Sequence, residues 1–181
     1  MEKKLILSHD LLEITMHRLC HELIENHGDF QDSVILGLQP RGIFVADKIK
    51  EILQQSISKE ILTGYLDVTF YRDDFRRRDT PIKANATKVG FIIEDKKVIL
   101  IDDVLYTGRT VRAALDAMIA FGRPQKVELL VLINRMYSRD LPIEPNYVGR
   151  DVNTMLSQRV LVEWKEQGFT ENGIWLADNY Q

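Results

Sequence analysis

A chain of 181 residues with 24 Lys+Arg against 27 Asp+Glu carries a net charge of −3, which excludes a global pull toward nucleic acid or a membrane surface and leaves only local basic patches to consider. Hydrophobic residues at 45% and charged residues at 28% exclude a disordered or low-complexity chain and suit one globular domain over 1–181. The single cysteine, Cys20, excludes an internal disulfide framework. That, a leading apolar run too short for a signal peptide and the lack of any stretch near the roughly 20 apolar residues of a membrane span predict a cytoplasmic protein with no membrane partner.

The first predicted element is an amphipathic helix over 9–26, with Leu12, Met16, Leu19, Cys20, Leu23 and Ile24 on one face, Ser8 as N-cap and Gly28 as stop. Four histidines, His9, His17, His21 and His27, fall on or beside it. His17 and His21 have the i, i+4 spacing of metal ligands but no carboxylate at a matching position, so the histidines read as surface residues. Ser33 to Leu38 is a strand, followed by Gln39-Pro40-Arg41-Gly42 and a second helix facing inward through Ile43, Ala46, Ile49 and Leu53. Ile61 to Tyr71 reads as a strand, and the polar, basic stretch from about 72 to 89 as a mobile loop or hairpin. A strand over 97–102 leads to a helix over 109–121 with Val111, Ala114, Leu115 and Met118 inward, ended by Gly122 and Pro124. Val127 to Ile133 is a further buried strand, and short strand-like pieces follow at 159–163 and 174–177. Apolar strands alternating with helices predict an α/β fold, a mainly parallel sheet flanked by helices that binds ligands beyond the carboxyl ends of its strands.

One stretch, VILIDDVLYTGRT, combines three chemical features. Asp102 and Asp103 stand where the chain is expected to leave the sheet, and paired carboxylates suit ribose hydroxyls, a divalent cation, or both. Gly108 lets the amides from Thr107 to Thr110 converge at the start of the next helix, where unpaired N–H groups and the helix dipole favour a phosphate. Either half alone is ordinary, since Asp-Asp serves as well for a solvated turn and Gly and Thr are common at helix starts. Joined in one strand–turn–helix unit they point to a sugar phosphate. Neither a dinucleotide fingerprint nor a P-loop lysine pattern is present, and a receiver-type signalling fold would leave Thr-Gly-Arg-Thr without a purpose.

The run VILIDDVLYTGRTVRAALDAM closely resembles the phosphoribosyl pyrophosphate (PRPP) motif of the type I phosphoribosyltransferases. Together with LDVTFYRDD, the Arg-Gly of 39–42, AFGRP, Leu-Pro-Ile at 141–143 and YVGRDVNT, it makes the chain similar over nearly its whole length to the PyrR family of bifunctional uracil phosphoribosyltransferases, which also regulate pyrimidine genes by binding messenger RNA. The resemblance implies a type I phosphoribosyltransferase fold with a mobile loop and a small C-terminal hood in pieces of 135–181. It implies conversion of uracil and PRPP to uridine monophosphate (UMP) and pyrophosphate, with Mg2+ chelated mainly by PRPP near Asp102 and Asp103 and no direct protein metal site. Asp102 and Asp103 match the acidic pair on the ribose. Tyr106, Thr107, Gly108, Arg109 and Thr110 match the 5′-phosphate loop, and Arg41 and Gly42 the pyrophosphate loop. Tyr71, Arg72 and Asp73 root the mobile loop, with Arg72 either neutralising pyrophosphate or paired with Asp73 or Asp74. Val148, Gly149 and Arg150 are matched to uracil recognition in the hood. The partners so implied are PRPP, uracil, UMP or UTP, a messenger RNA leader and further copies of the chain as a homodimer or larger homo-oligomer.

For RNA, Arg18, His21 and Arg150 match the family's basic surface. His17 and Pro40 instead stand where threonine is usual, Glu144 where arginine is usual, and NRMYSRDLPI replaces DRGHRELPI with one residue inserted. An arginine-to-glutamate change removes a phosphate contact and adds repulsion, so the expectation is retained transferase chemistry with RNA control weakened or redirected. The alternatives are a nucleotide-sensing RNA-binding regulator with vestigial transferase activity, or a phosphoribosyltransferase for another base.

Overall fold

Segments such as SVILGLQ and KVILIDDVL are apolar at nearly every position, which is stable only where both faces of their sheet are covered. The computed structural model describes residues 3–71 and 86–178 and shows that arrangement. In chain order the elements are β1 (Lys3–Leu7), α1 (His9–His27), β2 (Ser33–Gln39), α2 (Gly42–Ser56), β3 (Thr63–Asp67), β4 (Lys97–Leu105), α3 (Arg109–Met118), β5 (Lys126–Met136), β6 (Tyr147–Asn153), β7 (Gln158–Glu163) and β8 (Gly173–Asp178). The main sheet runs β3-β2-β4-β5-β6 with every pairing parallel. Ile35, Ile99, Ile101, Leu130 and Leu132 pack with α1 and α2 in one core, whereas Val34, Leu36, Val98, Leu100, Leu129 and Val131 pack with α3 in the other. The two sets alternate along each strand, as a pleated strand between two helical layers requires.

A second, antiparallel sheet, β1-β8-β7, adds Leu7, Val162, Trp164 and Ile174 to the α1/α2 core. Its strands β7 and β8 fall within the 135–181 expected for the hood, with two differences. β6, although beyond residue 135, belongs to the main sheet beside β5, and the amino-terminal β1 is an outer strand of the small one, pairing Lys3 with Ala177. β1 and β6 were both missed as strands because they are edge strands with broken apolar patterns, and β1 needs a partner at the other end of the chain.

Local chemistry explains the remaining boundaries. The Ser8 hydroxyl accepts from the Leu11 amide and Gly28, at φ 57°, ends α1. β3 is shorter than the expected 61–71 because the Asp67 carboxylate accepts from the amide and hydroxyl of Thr69 and turns the chain into a 3-10 turn, Thr69–Tyr71. In α3, Ala113 and Ala117 are buried and Leu115 is 36% exposed, which corrects the inward face: small side chains let this helix lie close to the sheet. Ile43 is only partly buried. The amino end of α2 is pressed against β4, where a Cβ at Gly42 would stand 2.4 Å from the Ile101 carbonyl oxygen and 3.0 Å from Asp102 Cα. Of the expected 72–89 loop, residues 72–85 lie outside the described residues. Its distal root is tied down by two bonds between Tyr65 and Lys88 and by Gln39 Nε2 donating to the Ala86 carbonyl.

His27 is not a surface histidine, because its side chain is 1% exposed and lies 2.7 Å from Glu128 Oε2 through Nε2. The acceptor-only carboxylate places the proton on Nε2, so Nδ1 accepts from the Ser33 hydroxyl at 2.8 Å. The Tyr147 hydroxyl and Lys126 ammonium complete the Glu128 shell and tie α1 to β5 and β6. Burial, opposed by the Glu128 charge, holds the His27 ring below its ordinary 6.5. The unfolded chain therefore binds a proton that the folded chain resists, and stability present above that value is lost as the pH falls below it. Urea unfolding at about pH 7.5 and about pH 5.5 should show this loss in the wild type and a smaller one in His27→Gln; equal losses would contradict it. Gly42→Ala should cost about 1–3 kcal/mol by the same measurement, since backbone rather than a flexible side chain meets the new methyl group.

Candidate active site

The β2–β4 ladder ends at Gly37 and Ile101, whereas β4 continues beside β5 to the pairing of Leu105 with Asn134. The aspartates therefore lie within β4 and not at its end, a correction caused by β5 running on to Met136 and extending the ladder. On the side that β2 has left, residues 40–42 lie against them. Asp102 is 8% exposed and Asp103 6%. Asp102 Oδ1 accepts from the Asp103 amide at 2.9 Å, and Asp103 Oδ1 from the Val104 amide at 2.8 Å. Burial first, then the neighbouring Asp103 charge, holds the Asp102 carboxyl well above the usual range. Arg41 Nε donates to Asp103 Oδ2 at 2.7 Å and Nη2 to the Val162 carbonyl at 2.6 Å, so one guanidinium joins the acidic pair to β7 of the small sheet.

After β4 the chain forms the loop Tyr106 to Gly108 and enters α3. Gly108 is the N-cap, at φ 90°, and offers no side chain to the first amides of the helix. That conformation favours glycine, and Leu141 and Ile143 pack directly against the position. Thr107 Oγ1 lies 3.5 Å from the Arg109 amide, Arg109 Nε is 3.2 Å from Asp140 Oδ2, and Thr110 is the second residue of α3. The Tyr106 ring lies under the Arg135 guanidinium at 3.9 Å. The fold thus brings Arg41, Gly42, Asp102, Asp103 and the 106–110 loop to one rim of the main sheet. Tyr71 ends its 3-10 turn 48% exposed, while Arg72 and Asp73 lie outside the described residues.

Val148, Gly149 and Arg150 do not sit in the small sheet but on β6, with Val148 opposite Val131, which on its other side faces Asp102. Two strand spacings, about 10 Å, separate Val148 from Asp102. The carbonyls of Val148 and Gly149 accept from Arg18 Nη2, and a Cβ at Gly149 would meet the Leu132 carbonyl at 2.4 Å, so this glycine admits the close approach of β5. Arg150 Nη1 donates to the Ile6 carbonyl. Arg18, the exposed His21 one turn later and Arg150 share the α1/β6 surface.

Among the described residues no group of three or more His, Cys, Asp or Glu converges on a point, which leaves His17 and His21 as exposed side chains. The two carboxylates of β4 fit Mg2+ that arrives on a pyrophosphate, because this ion keeps its waters and binds through one or two carboxylates plus substrate phosphates. Residues that sequence reasoning left without a role stand beside the loop: Arg135, 5% exposed, donates to Thr154 Oγ1 and to the Met155 and Gln158 carbonyls, and Asn134 and Arg139 contact each other. Arg135 and Arg139 match the two arginines of the family's DRGHRELPI and Asn134 replaces its aspartate, so the stretch itself was the signal.

A family model described as phosphoribosyl transferase domain matches residues 4–167. A bifunctional protein PyrR of Enterococcus faecalis is 40% identical over 167 residues, covering 92% of this chain and 93% of that protein. One of Chloroflexus aurantiacus is 42% identical over 164 residues, covering 91% and 90%. Among solved structures, a hypoxanthine phosphoribosyltransferase of Trypanosoma cruzi superposes with a TM-score of 0.73 at 11% identity, covering 97% of this chain and 96% of that one. Another, of Staphylococcus aureus, superposes with 0.70 at 16%, covering 94% and 90%. These two likenesses show the fold, with its central parallel sheet and flanking helices. With a carboxylate pair and a helix-capping glycine loop at one rim, and relatives of this identity along nearly their whole length, the chain belongs to the phosphoribosyl transferase domain family and, within it, to the PyrR proteins.

Proposed function

We propose that the chain is a uracil phosphoribosyltransferase, joining uracil to C1 of PRPP with loss of pyrophosphate to give UMP. The observation that carries this reading is the juxtaposition of Asp102 and Asp103 with the Tyr106–Thr110 loop, which supplies acceptors for ribose hydroxyls and amide donors for a 5′-phosphate at the same rim. Bond breaking at C1 develops oxocarbenium character, so catalysis is a matter of positioning and charge stabilisation. Asp103 orients the ribose through its hydroxyls, and Arg41, already within 2.7 Å of Asp103, has a guanidinium suited to the departing pyrophosphate. Arg72 is assigned to the pyrophosphate on the family pattern, with Tyr71 and Asp73 at the root of the same loop. Mg2+ bound to PRPP would be held beside Asp102 and Asp103 and supply charge neutralisation for the leaving group.

A regulatory arm is supported by the basic side chains of Arg18, His21 and Arg150 sharing the α1/β6 surface, which suits the phosphates of a messenger RNA leader. UMP or UTP at the transferase site is its effector in this reading. The single-domain chain is assigned to the cytoplasm and to a homodimer or larger homo-oligomer; among the described residues no helix is long and apolar enough to cross a membrane.

With PRPP, Mg2+ and a panel of bases, pyrophosphate release should be more than about tenfold faster with uracil than with hypoxanthine. Release with purines alone would overturn the base assignment while sparing the fold. In gel shifts at low salt, the leader RNA of the organism's own pyrimidine genes should bind in a UMP-dependent manner; its failure to do so would remove the regulatory arm.

A further inference from the structure

The side chain of Arg139 is turned into the protein and uses every nitrogen. Nη1 donates to the Tyr106 carbonyl at 2.6 Å and to the Arg135 carbonyl at 3.0 Å, with the Leu105 carbonyl at 3.5 Å. Nε donates to the Ile143 carbonyl at 3.0 Å, and Nη2 donates to Asn134 Oδ1. The acceptors lie at the ends of β4 and β5 and on the segment after β5, so one planar group holds three pieces of backbone in register. The same segment supports the loop elsewhere. The amides of Asp140 and Leu141 donate to the Thr107 carbonyl at 3.0 and 3.3 Å, the Asp140 carboxylate meets Arg109, and Ile143 packs on Gly108.

Asn134 is suited to its place because an amide offers both kinds of group: its oxygen accepts from Arg139 while Nδ2 donates to Asp151 Oδ1 at 2.7 Å. Glu144, the acidic residue at a position where the family pattern has arginine, and Asp151 both favour the charged guanidinium electrostatically against its burial.

We propose that Arg139 is a positioning residue for phosphate binding, shaping the Tyr106–Thr110 loop through the Tyr106 carbonyl and the 140–143 segment without touching substrate. The proposal rests on the reading of that loop as the 5′-phosphate site. Lysine keeps the charge but not the planar fork, so it cannot serve carbonyls in three directions.

The test compares UMP, whose phosphate occupies the braced loop, with magnesium pyrophosphate, whose site is the Arg41 loop, by calorimetric titration of the full chain. Arg139→Lys should weaken UMP about tenfold and leave pyrophosphate within about twofold, and KM for PRPP should rise while KM for uracil does not. Equal losses for both ligands, or no loss for UMP, would overturn the brace. Asn134→Ala removes one acceptor and should give a smaller loss with the same selectivity. It carries the test if circular dichroism shows that Arg139→Lys does not fold, and an unselective loss there overturns the proposal equally. Wild-type protein that binds neither UMP nor PRPP would overturn the nucleotide reading and the brace with it, an outcome distinct from an unaffected variant of a binding-competent chain.

Discussion

Taking Asp102 and Asp103 out of water is unfavourable unless each carboxylate finds donors or a counter-charge, and the surroundings of β4 are arranged to meet that demand. Successive backbone amides turn toward the two side chains, and Arg41 reaches Asp103 from the loop after β2. The compensation is incomplete at Asp102, whose carboxyl is held well above the usual range by burial and by its neighbour's charge. A cation beside such a pair would relieve the like-charge repulsion, and hydroxyl donors would satisfy its remaining acceptor positions.

The parallel topology creates the space for such a ligand. β2 leaves the ladder at Gly37 while β4 and β5 continue, so one flank of β4 is open where the carboxylates lie. Gly42 lets α2 begin against that flank at a distance no other residue would allow. Arg41 then ties the rim to the small sheet through Val162, and that sheet is built from both ends of the chain. Residues as far apart as Lys3 and Ala177 therefore support the group that faces Asp103.

Opposite this flank, the segment after β5 supports the 106–110 loop, and Asn134, a departure from the family pattern, fits its neighbours. Asn134 presents an acceptor to Arg139 and a donor to Asp151, and Glu144 supplies negative charge to the same guanidinium. Arg18 has a comparable double aspect, since it belongs to the basic α1/β6 surface and also donates to the edge carbonyls of β6.

The order of the main elements, the two-sided sheet and the grouping of residues 102–110 at one rim were legible in the sequence because hydrophobic period and turn chemistry are local properties. Ser8, Gly28 and Gly108 act where their neighbours suggest, and the Asp-Asp and Thr-Gly-Arg-Thr pairs are adjacent in the chain. The sequence by itself determined the α/β class and the placement of two carboxylates and a helix-capping glycine loop in one strand–turn–helix unit. The tertiary structure alone decided that β4 runs past its aspartates, that β1 joins β8, that β6 belongs to the main sheet, that His27 is buried against Glu128 and that Arg139 supports the loop. Each of these depends on hydrogen bonds or charges supplied by residues distant in the chain, and no local pattern encodes which partner the fold will bring.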